Sequence, residues 1–197
     1  FASRGIVAIC VEYRITSEHG SNIIDSLKDA NSSMRWIKSQ VKELGINPNM
    51  ITASGGSAGG LISILLAAGN DFNHDDDDLK INTRPSSLVL FNPQFEIAPK
   101  LPTYQPIINR SKEINPLNNL NEATPPTLIL HGTEDEFIPI SSVKSLQKKM
   151  TSYGVRSELV LYDRQKHEFY NKNKYSETLL EVDKFLVSLG YLNNPAD

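Results

Sequence analysis

The spacing of apolar and polar positions changes along the chain and divides it into alternating strands and helices. Gly5–Val11 is continuously apolar and rich in β-branched residues, which predicts a strand buried on both faces. Residues 22–44 carry apolar side chains at steps of three and four, which predicts an amphipathic helix ending at Gly45. Further strands are predicted at 50–54, 87–92, 126–131 and 157–162, and further helices at 57–68, 141–153 and 176–189.

This alternation predicts an α/β fold with a mainly parallel sheet and right-handed crossovers, in a single domain over residues 1–197. Two segments interrupt it. Residues 69–85 contain His74 and four consecutive aspartates, Asp75–Asp78, which we interpret as a solvated loop rather than a calcium site. The proline-rich segment 93–125 is predicted to be an irregular excursion over one end of the sheet.

The composition of the chain argues against several classes of protein. The chain has 197 residues and a net charge of −3, which argues against a broad basic surface for nucleic acid. No apolar run is long enough for a membrane span, and the single cysteine, Cys10, excludes an internal disulfide. Oligomeric state and compartment stay open. Because the chain starts at Phe1, almost inside an apolar run, we expect that it begins in mid-domain.

One motif carries chemistry. Gly55–Gly60 contains G-x-S-x-G between a predicted strand and a predicted helix, which is typical of a turn that projects a nucleophilic serine, here Ser57. The backbone N–H of Ala58 would then donate to a developing oxyanion. The alternative is a glycine-rich turn for phosphate, but both the G-x-G-x-x-G spacing and a Walker lysine are absent.

A serine nucleophile needs a base, and the base needs an orienting acid. Among four histidines, His167 follows the last predicted strand, whereas His19 and His74 fall in loops and His131 is predicted to be structural. Asp135 follows the fourth predicted strand and is the candidate acid, with Glu134 and Glu136 as close rivals. Because parallel strands end at one edge of a sheet, Ser57, Asp135 and His167 are expected to converge.

Several segments together carry a family resemblance. They are Val11–Arg14, Asp29, Trp36, Gly45–Pro48, Gly56–Gly60, His131–Pro139 and His167–Phe169. With them the chain resembles the α/β-hydrolase superfamily, in the branch of acetyl-esterase-like and hormone-sensitive-lipase-like enzymes. The resemblance implies an α/β-hydrolase fold with Ser57 as nucleophile, Asp135 as acid, His167 as base and Ala58 N–H as an oxyanion donor.

The chain departs from that pattern in three places. Gly56 stands where hormone-sensitive-lipase-like members usually have Asp, which looks more like the carbohydrate-esterase side, and Glu168 stands where Gly is frequent. The His-Gly-Gly oxyanion loop is also missing. In the family, the strand that precedes this loop lies between the strand at Gly5–Val11 and the strand that leads into the serine turn. We therefore expect an N-terminally incomplete domain with weak or no activity on its own.

The resemblance implies a serine hydrolase that cleaves small carboxylic esters through an acyl-enzyme, with no metal or cofactor. Short acyl or acetyl esters, including those on carbohydrates, are the expected substrates. The predicted substrate-binding residues are Gly56, Phe95, Phe137 and Phe169, with Tyr104 and Ile107 as further wall candidates. For each aromatic wall residue simple packing is an equal alternative, and Tyr13 and Trp36 are predicted core residues. The competing functions are a peptidase of the prolyl-oligopeptidase kind and a non-catalytic hydrolase-like binding protein.

Overall fold

The computed structural model describes residues 1–94, 107 and 109–194 and contains one parallel sheet with the strand order β1-β2-β3-β4. The strands are β1 (Thr52–Gly56), β2 (Ser87–Phe91), β3 (Thr127–Gly132) and β4 (Ser157–Tyr162). The helices are α1 (Thr16–His19), α2 (Ile23–Ser39), α3 (Val41–Leu44), α4 (Ala58–Ala68), α5 (Pro116–Asn119), α6 (Ile140–Ser152) and α7 (Tyr175–Ser188). The predicted parallel α/β fold is confirmed.

The sheet register brings three strand ends side by side. Gly56 of β1 pairs with Phe91 of β2, which in turn pairs with Leu130 of β3. Beyond them, Gly132 pairs with Tyr162 at the end of β4. Because all four strands run in the same direction, the segments that follow them emerge at one edge. That edge is where the sequence places its candidate site.

Two apolar layers cover the two faces of the sheet. In β2, Leu88 and Leu90 belong to the first cluster, which also holds the buried faces of α2, α4 and α6. Val89 points to the opposite face and joins the second cluster, which includes α7. Successive side chains of a strand point to opposite faces of the sheet, so a strand that is covered on both faces needs apolar residues at every position. None of the helices in the described part of the chain is long and apolar enough to cross a membrane.

The predicted strand at Gly5–Val11 is wrong. Residues 6–15 form no strand, and residues 7–13 make no backbone hydrogen bond to any described residue. An apolar cavity of about 630 Å³ separates this segment from β1, so its backbone has no neighbour with which to form a ladder. Val7 is therefore 46% exposed, whereas a strand buried on both faces would hide it.

Two predictions about the helix at residues 22–44 were also wrong. Trp36 is not a core residue, because it lies on the face of α2 opposite Leu27 and is 56% exposed. The predicted helix 22–44 is also divided, since α2 ends at Ser39 and α3 begins at Val41.

The aspartate run is solvated at only three of its four positions. Asp77 is the exception: it accepts from Arg35 Nη1 at 2.8 Å and from Ser32 Oγ at 2.7 Å, and its side chain is 9% exposed. This ion pair fastens the 69–85 loop to α2.

Asp29 on α2 forms a second set of hydrogen bonds that joins this helix to neighbouring loops. It accepts from the backbone N–H of Arg14 at 2.9 Å and from the Arg14 guanidinium at 2.8 Å. His74, predicted to be solvated, instead lies 3.1 Å from the same carboxylate. Burial alone would raise the pKa of Asp29, but the hydrogen bonds from Arg14 and His74 outweigh burial and lower the pKa to about 2.

The turn from β1 into α4 leaves no room for a side chain at three of its glycines. A β-carbon on Gly55 would overlap the backbone of Gly59, and one on Gly60 would lie 2.8 Å from Cβ of Pro93. A β-carbon on Gly56 would overlap the hydroxyl of Tyr170. The Tyr170 side chain thus fills the space where an Asp before the serine would stand, which explains why glycine is found here.

The Asp29 contacts predict a loss of stability in acid. A carboxyl whose pKa is lowered by folding stabilises the native state above its unfolded pKa, and this contribution is lost as pH falls through the folded pKa. With a folded pKa of about 2, Asp29 contributes about 2 kcal/mol, which should disappear between about pH 4 and pH 2. Urea unfolding at a series of pH values, comparing Asp29→Asn with the parent chain, measures this. If the two proteins lose stability in parallel over this range, Asp29 is not the group responsible.

The close approach of Tyr170 predicts that Gly56→Ala lowers the free energy of unfolding by about 1–3 kcal/mol, because the added methyl group overlaps the phenol. Gly59→Ala is the matched control. There the nearest atom is the Tyr13 hydroxyl at 3.8 Å, and Ala in a helix gains up to about 1 kcal/mol over Gly. In a Tyr170→Ala background, Gly56→Ala should cost much less. An equal cost in both backgrounds would show that Tyr170 is not the obstacle.

Candidate active site

Ser57 sits in a strained turn between β1 and α4. Its φ of 51° and ψ of −116° lie in a region that side-chain-bearing residues rarely adopt. The turn is held by backbone bonds: Ser57 N–H donates to Phe91 O at 3.0 Å, and Gln94 N–H donates to Ser57 O at 3.0 Å. The Ser57 hydroxyl itself hydrogen-bonds to none of the described residues. The strained turn thus presents a hydroxyl that is bound to no residue in the described part of the chain.

The backbone N–H of Ala58 follows directly at the first turn of α4. It has no acceptor among the described residues, as expected for an N–H at the start of a helix. Ala58 as a whole is exposed. At consecutive positions the turn therefore carries a hydroxyl and a backbone N–H that are both without a hydrogen-bond partner among the described residues.

Asp135 is buried just beyond the end of β3, and its carboxylate accepts from several donors. Oδ1 accepts from the N–H groups of Phe137 and Ile138, both at 2.9 Å, and Oδ2 accepts from Nδ2 of Asn92. Nδ1 of His167 is 2.8 Å from Oδ2. Burial would raise the pKa of Asp135, but these bonds, led by that from His167, lower it. The side chain is fully shielded and ionised at neutral pH.

His167 follows β4, and the structure pairs it with Asp135 and not with either acidic rival. Glu134 and Glu136 are both exposed, and Glu136 reaches only the backbone N–H of His167, at 3.4 Å. The imidazole is 11% exposed, and Nε2 has no partner among the described residues. The ring therefore has Nδ1 bonded to a buried carboxylate, while Nε2 is unbonded within the described ranges.

The backbone after His167 explains another departure in the sequence. Glu168 has φ 60° and ψ 18°, a left-handed conformation that glycine adopts without cost. The turn directs the following side chain inward, so Phe169 is 2% exposed and packs against Tyr162 in the second core cluster. The prediction of Phe169 as a substrate wall is therefore wrong, because its ring belongs to the core.

The remaining substrate candidates divide into four groups. Phe137 is 73% exposed and meets the His167 ring edge-on, with ring centroids 5.2 Å apart, so it flanks the site. Gly56 offers little surface to a substrate, since Tyr170 covers the position of its missing side chain. Ile107 is buried in the first core cluster. Phe95 and Tyr104 lie outside the described residues.

Sequence reasoning missed Asn92. Its side chain is completely buried after β2, its φ is 43°, and its amide reaches Asp135. Asn is neither nucleophilic nor titratable, so no catalytic pattern includes it. The available signal was positional: Asn92 directly follows a strand whose end meets the ends of β1 and β3. His131 is structural as expected, with Nε2 donating to Ile138 O at 3.1 Å.

Two protein families match the chain. BD-FAE matches residues 1–94, and the prolyl oligopeptidase family matches residues 86–190. Curated relatives include a probable carboxylic ester hydrolase, LipM, of Mycobacterium tuberculosis, which is 22% identical over 95% of this chain. A probable isoprenylcysteine alpha-carbonyl methylesterase of Arabidopsis thaliana is 23% identical over 84% of this chain. The chain spans 48% and 40% of the lengths of these two relatives.

Solved esterase structures share the fold over nearly all of this chain. Esterase 2 of Thermogutta terrifontis, phosphoramylated by tabun, superposes with a TM-score of 0.85 at 30% identity, covering 93% of this chain and 71% of that one. Its native form gives a TM-score of 0.86 at 29% identity, covering 94% and 71%. The chain therefore belongs to the α/β-hydrolase superfamily, related to its esterases throughout and matching the prolyl oligopeptidase family in its second half.

Proposed function

We propose that this chain carries the catalytic centre of a carboxylic ester hydrolase, with Ser57 as nucleophile, His167 as base and Asp135 as orienting acid. The observation that carries the proposal is the buried Asp135–His167 pair, 2.8 Å between Oδ2 and Nδ1, at the sheet edge that also holds the strained Ser57 turn. Relatives named as esterases and ester hydrolases support the same reaction.

The first half of the reaction follows from these roles. His167 Nε2 takes the proton from the Ser57 hydroxyl as its oxygen attacks the ester carbonyl carbon. Asp135, held ionised by its donors, keeps the remaining imidazole proton on Nδ1 and balances the charge of the imidazolium. The tetrahedral intermediate collapses when the imidazolium gives its proton to the departing alkoxide, which leaves an acyl-Ser57 ester.

Deacylation repeats these steps with water in place of serine. His167 removes a proton from the water, the hydroxide adds to the acyl carbon, and the proton returns to Ser57 as the carboxylic acid leaves. In both halves negative charge develops on the carbonyl oxygen. In this proposal Ala58 N–H, which has no backbone acceptor among the described residues, donates to that oxygen.

The proposed substrates are esters with short acyl groups, acetyl esters of carbohydrates among them. Thermogutta terrifontis esterase 2 has been solved with propionate and with butyrate bound, which supports a short acyl chain. In this chain Phe137 lies exposed against the His167 ring and gives the site one apolar flank. An apolar flank favours the acyl or alkyl part of an ester over a charged group.

A peptidase is the second candidate, favoured by the match of residues 86–190 to the prolyl oligopeptidase family. The two reactions use the same nucleophile and base and differ in the leaving group, which is an alkoxide for an ester and an amine for a peptide. Substrate assays therefore separate them, whereas triad variants do not.

The triad predicts that Ser57→Ala and His167→Asn each lower kcat/KM for p-nitrophenyl acetate by about 10⁴-fold or more. Asp135→Asn should cost about 10⁴-fold, because the imidazole would adopt the wrong tautomer. The same serine should react covalently with a fluorophosphonate probe. Ser54→Ala, an exposed serine in β1, is the matched control and should keep full activity and labelling.

Two results would contradict the triad assignment. Unchanged turnover in Ser57→Ala would remove Ser57 as nucleophile. A folded full-length version of the protein that neither turns over the ester nor reacts with the probe would favour the non-catalytic binding protein.

Substrate choice is tested with p-nitrophenyl esters of two to eight carbons alongside an aminoacyl-p-nitroanilide. We expect kcat/KM to be highest for the two- to four-carbon esters and the anilide to be cleaved far more slowly. Release of p-nitrophenol or p-nitroaniline is followed by absorbance. Faster cleavage of the anilide than of every ester would identify the peptidase instead.

A further inference from the structure

Asn92 is one of four residues in a closed ring of hydrogen bonds that includes Asp135, Ile138 and His131. Its Nδ2 donates to Asp135 Oδ2, the oxygen that also accepts from His167, and lies 3.4 Å from Nδ1 of His131. His131 Nε2 donates to Ile138 O, and Ile138 N–H donates to Asp135 Oδ1. The ring therefore supplies one donor to each oxygen of the Asp135 carboxylate.

The chemistry of the neighbours sets the orientation of the Asn92 amide. An ionised carboxylate only accepts, so the amide nitrogen must face Asp135. His131 donates from Nε2 to a carbonyl, and burial lowers its pKa. A neutral ring leaves Nδ1 as an acceptor. The two hydrogens of the Asn92 amide thus point at two acceptors, while its Oδ1 is buried without a partner among the described residues.

The backbone around Asn92 reaches the nucleophile. Phe91 O accepts from Ser57 N–H and Gln94 N–H donates to Ser57 O, each at 3.0 Å. Asn92 N–H itself donates to Leu130 O in β3 at 2.9 Å. The residue is thus bracketed by the two contacts that hold the Ser57 turn, while its side chain holds the acid.

The conformation of Asn92 fits this double role. Its φ of 43° is left-handed, which Asn and Asp tolerate better than other side-chain-bearing residues. A buried residue in an uncommon conformation with an unsatisfied carbonyl is costly for the fold. Packing alone would be served by an apolar residue or by glycine.

Resting on the proposed triad, we propose that Asn92 is a positioning residue that fixes the Asp135 carboxylate against His167 and ties it to the Ser57 turn. It touches no reacting atom. Its amide prevents the carboxylate from rotating away from the imidazole, and its backbone keeps the strand ends of β1, β2 and β3 in a fixed relation. Asn92 thereby couples the position of the acid to that of the nucleophile.

The test compares two substitutions of Asn92 with a matched substitution elsewhere. Asn92→Asp keeps the shape and the tolerated φ but replaces the donor with an oxygen. Asn92→Gly removes the side chain without backbone strain and covers the case in which Asn92→Asp fails to fold. The control is Asn31→Asp. Asn31 is also completely buried, donates from Nδ2 to Asn70 Oδ1 and Phe72 O, and leaves its Oδ1 without a partner among the described residues.

We expect kcat for p-nitrophenyl acetate to fall about 100-fold in Asn92→Asp, since a small misplacement of catalytic groups costs that much. Asn92→Gly should lose about tenfold, the equivalent of one hydrogen bond. KM should change little in either variant, because Asn92 is buried away from substrate. Asn31→Asp should lower the melting temperature but leave kcat unchanged.

A second readout does not depend on turnover. The His167 Nδ1 proton, bonded to a buried carboxylate, should give a far-downfield proton resonance, assigned by its absence in His167→Asn. We expect this resonance to shift or disappear in both Asn92 variants and to persist in Asn31→Asp.

The proposal is overturned if both Asn92 variants keep kcat and the downfield resonance while losing only as much stability as Asn31→Asp. Failure of the triad itself is distinguishable, because Ser57→Ala would then retain activity. A loss of activity in Ser57→Ala together with full activity in Asn92→Asp and Asn92→Gly would leave the triad standing and remove Asn92.

Discussion

A negative charge buried at the end of β3 is the constraint around which this edge of the protein is organised. A fully shielded carboxylate is stable only when its oxygens are saturated with donors, and Asp135 obtains them from its own loop, from the end of β2 and from the segment after β4. These segments are far apart in sequence. They meet because β2, β3 and β4 are parallel and in register, so their ends share one edge.

The same edge concentrates backbone strain. Ser57, Asn92 and Glu168 all have positive φ values, although only Asn commonly adopts them. Ser57 and Asn92 directly follow the ends of β1 and β2, and Glu168 lies in the loop after β4. The first presents a hydroxyl, the second places an amide against a carboxylate, and the third turns Phe169 into the core. The apolar side chains packed on both faces of the sheet stabilise the fold and offset the free-energy cost of these strained conformations.

Much of this arrangement was predictable from the sequence, and the exceptions have physical causes. The strands predicted at 87–92 and 126–131 were readable because both of their faces are buried, whereas the strand predicted at 157–162 is only partly buried. Parallel topology predicted that Asp135 and His167 meet, and their side chains are 2.8 Å apart. The convergence of Ser57 with this pair stays a prediction. The sequence favoured Asp135 as the acid but left Glu134 and Glu136 as rivals, since only the folded turn decides which carboxylate points inward. The strand predicted at Gly5–Val11 was wrong because a strand needs a neighbouring strand to pair with. The spacing of residues within one segment does not reveal whether such a neighbour exists. Asn92 was missed because its role is defined by what surrounds it.

The position of Trp36 has a practical consequence for anyone who follows unfolding of this protein. It is the only tryptophan in the chain, and it lies on the outer face of α2, more than half exposed. Its indole already meets water in the native state, so its emission will change little when the core opens. Circular dichroism, or the fluorescence of tyrosines such as Tyr162 that are packed into the second core cluster, will report the loss of structure instead.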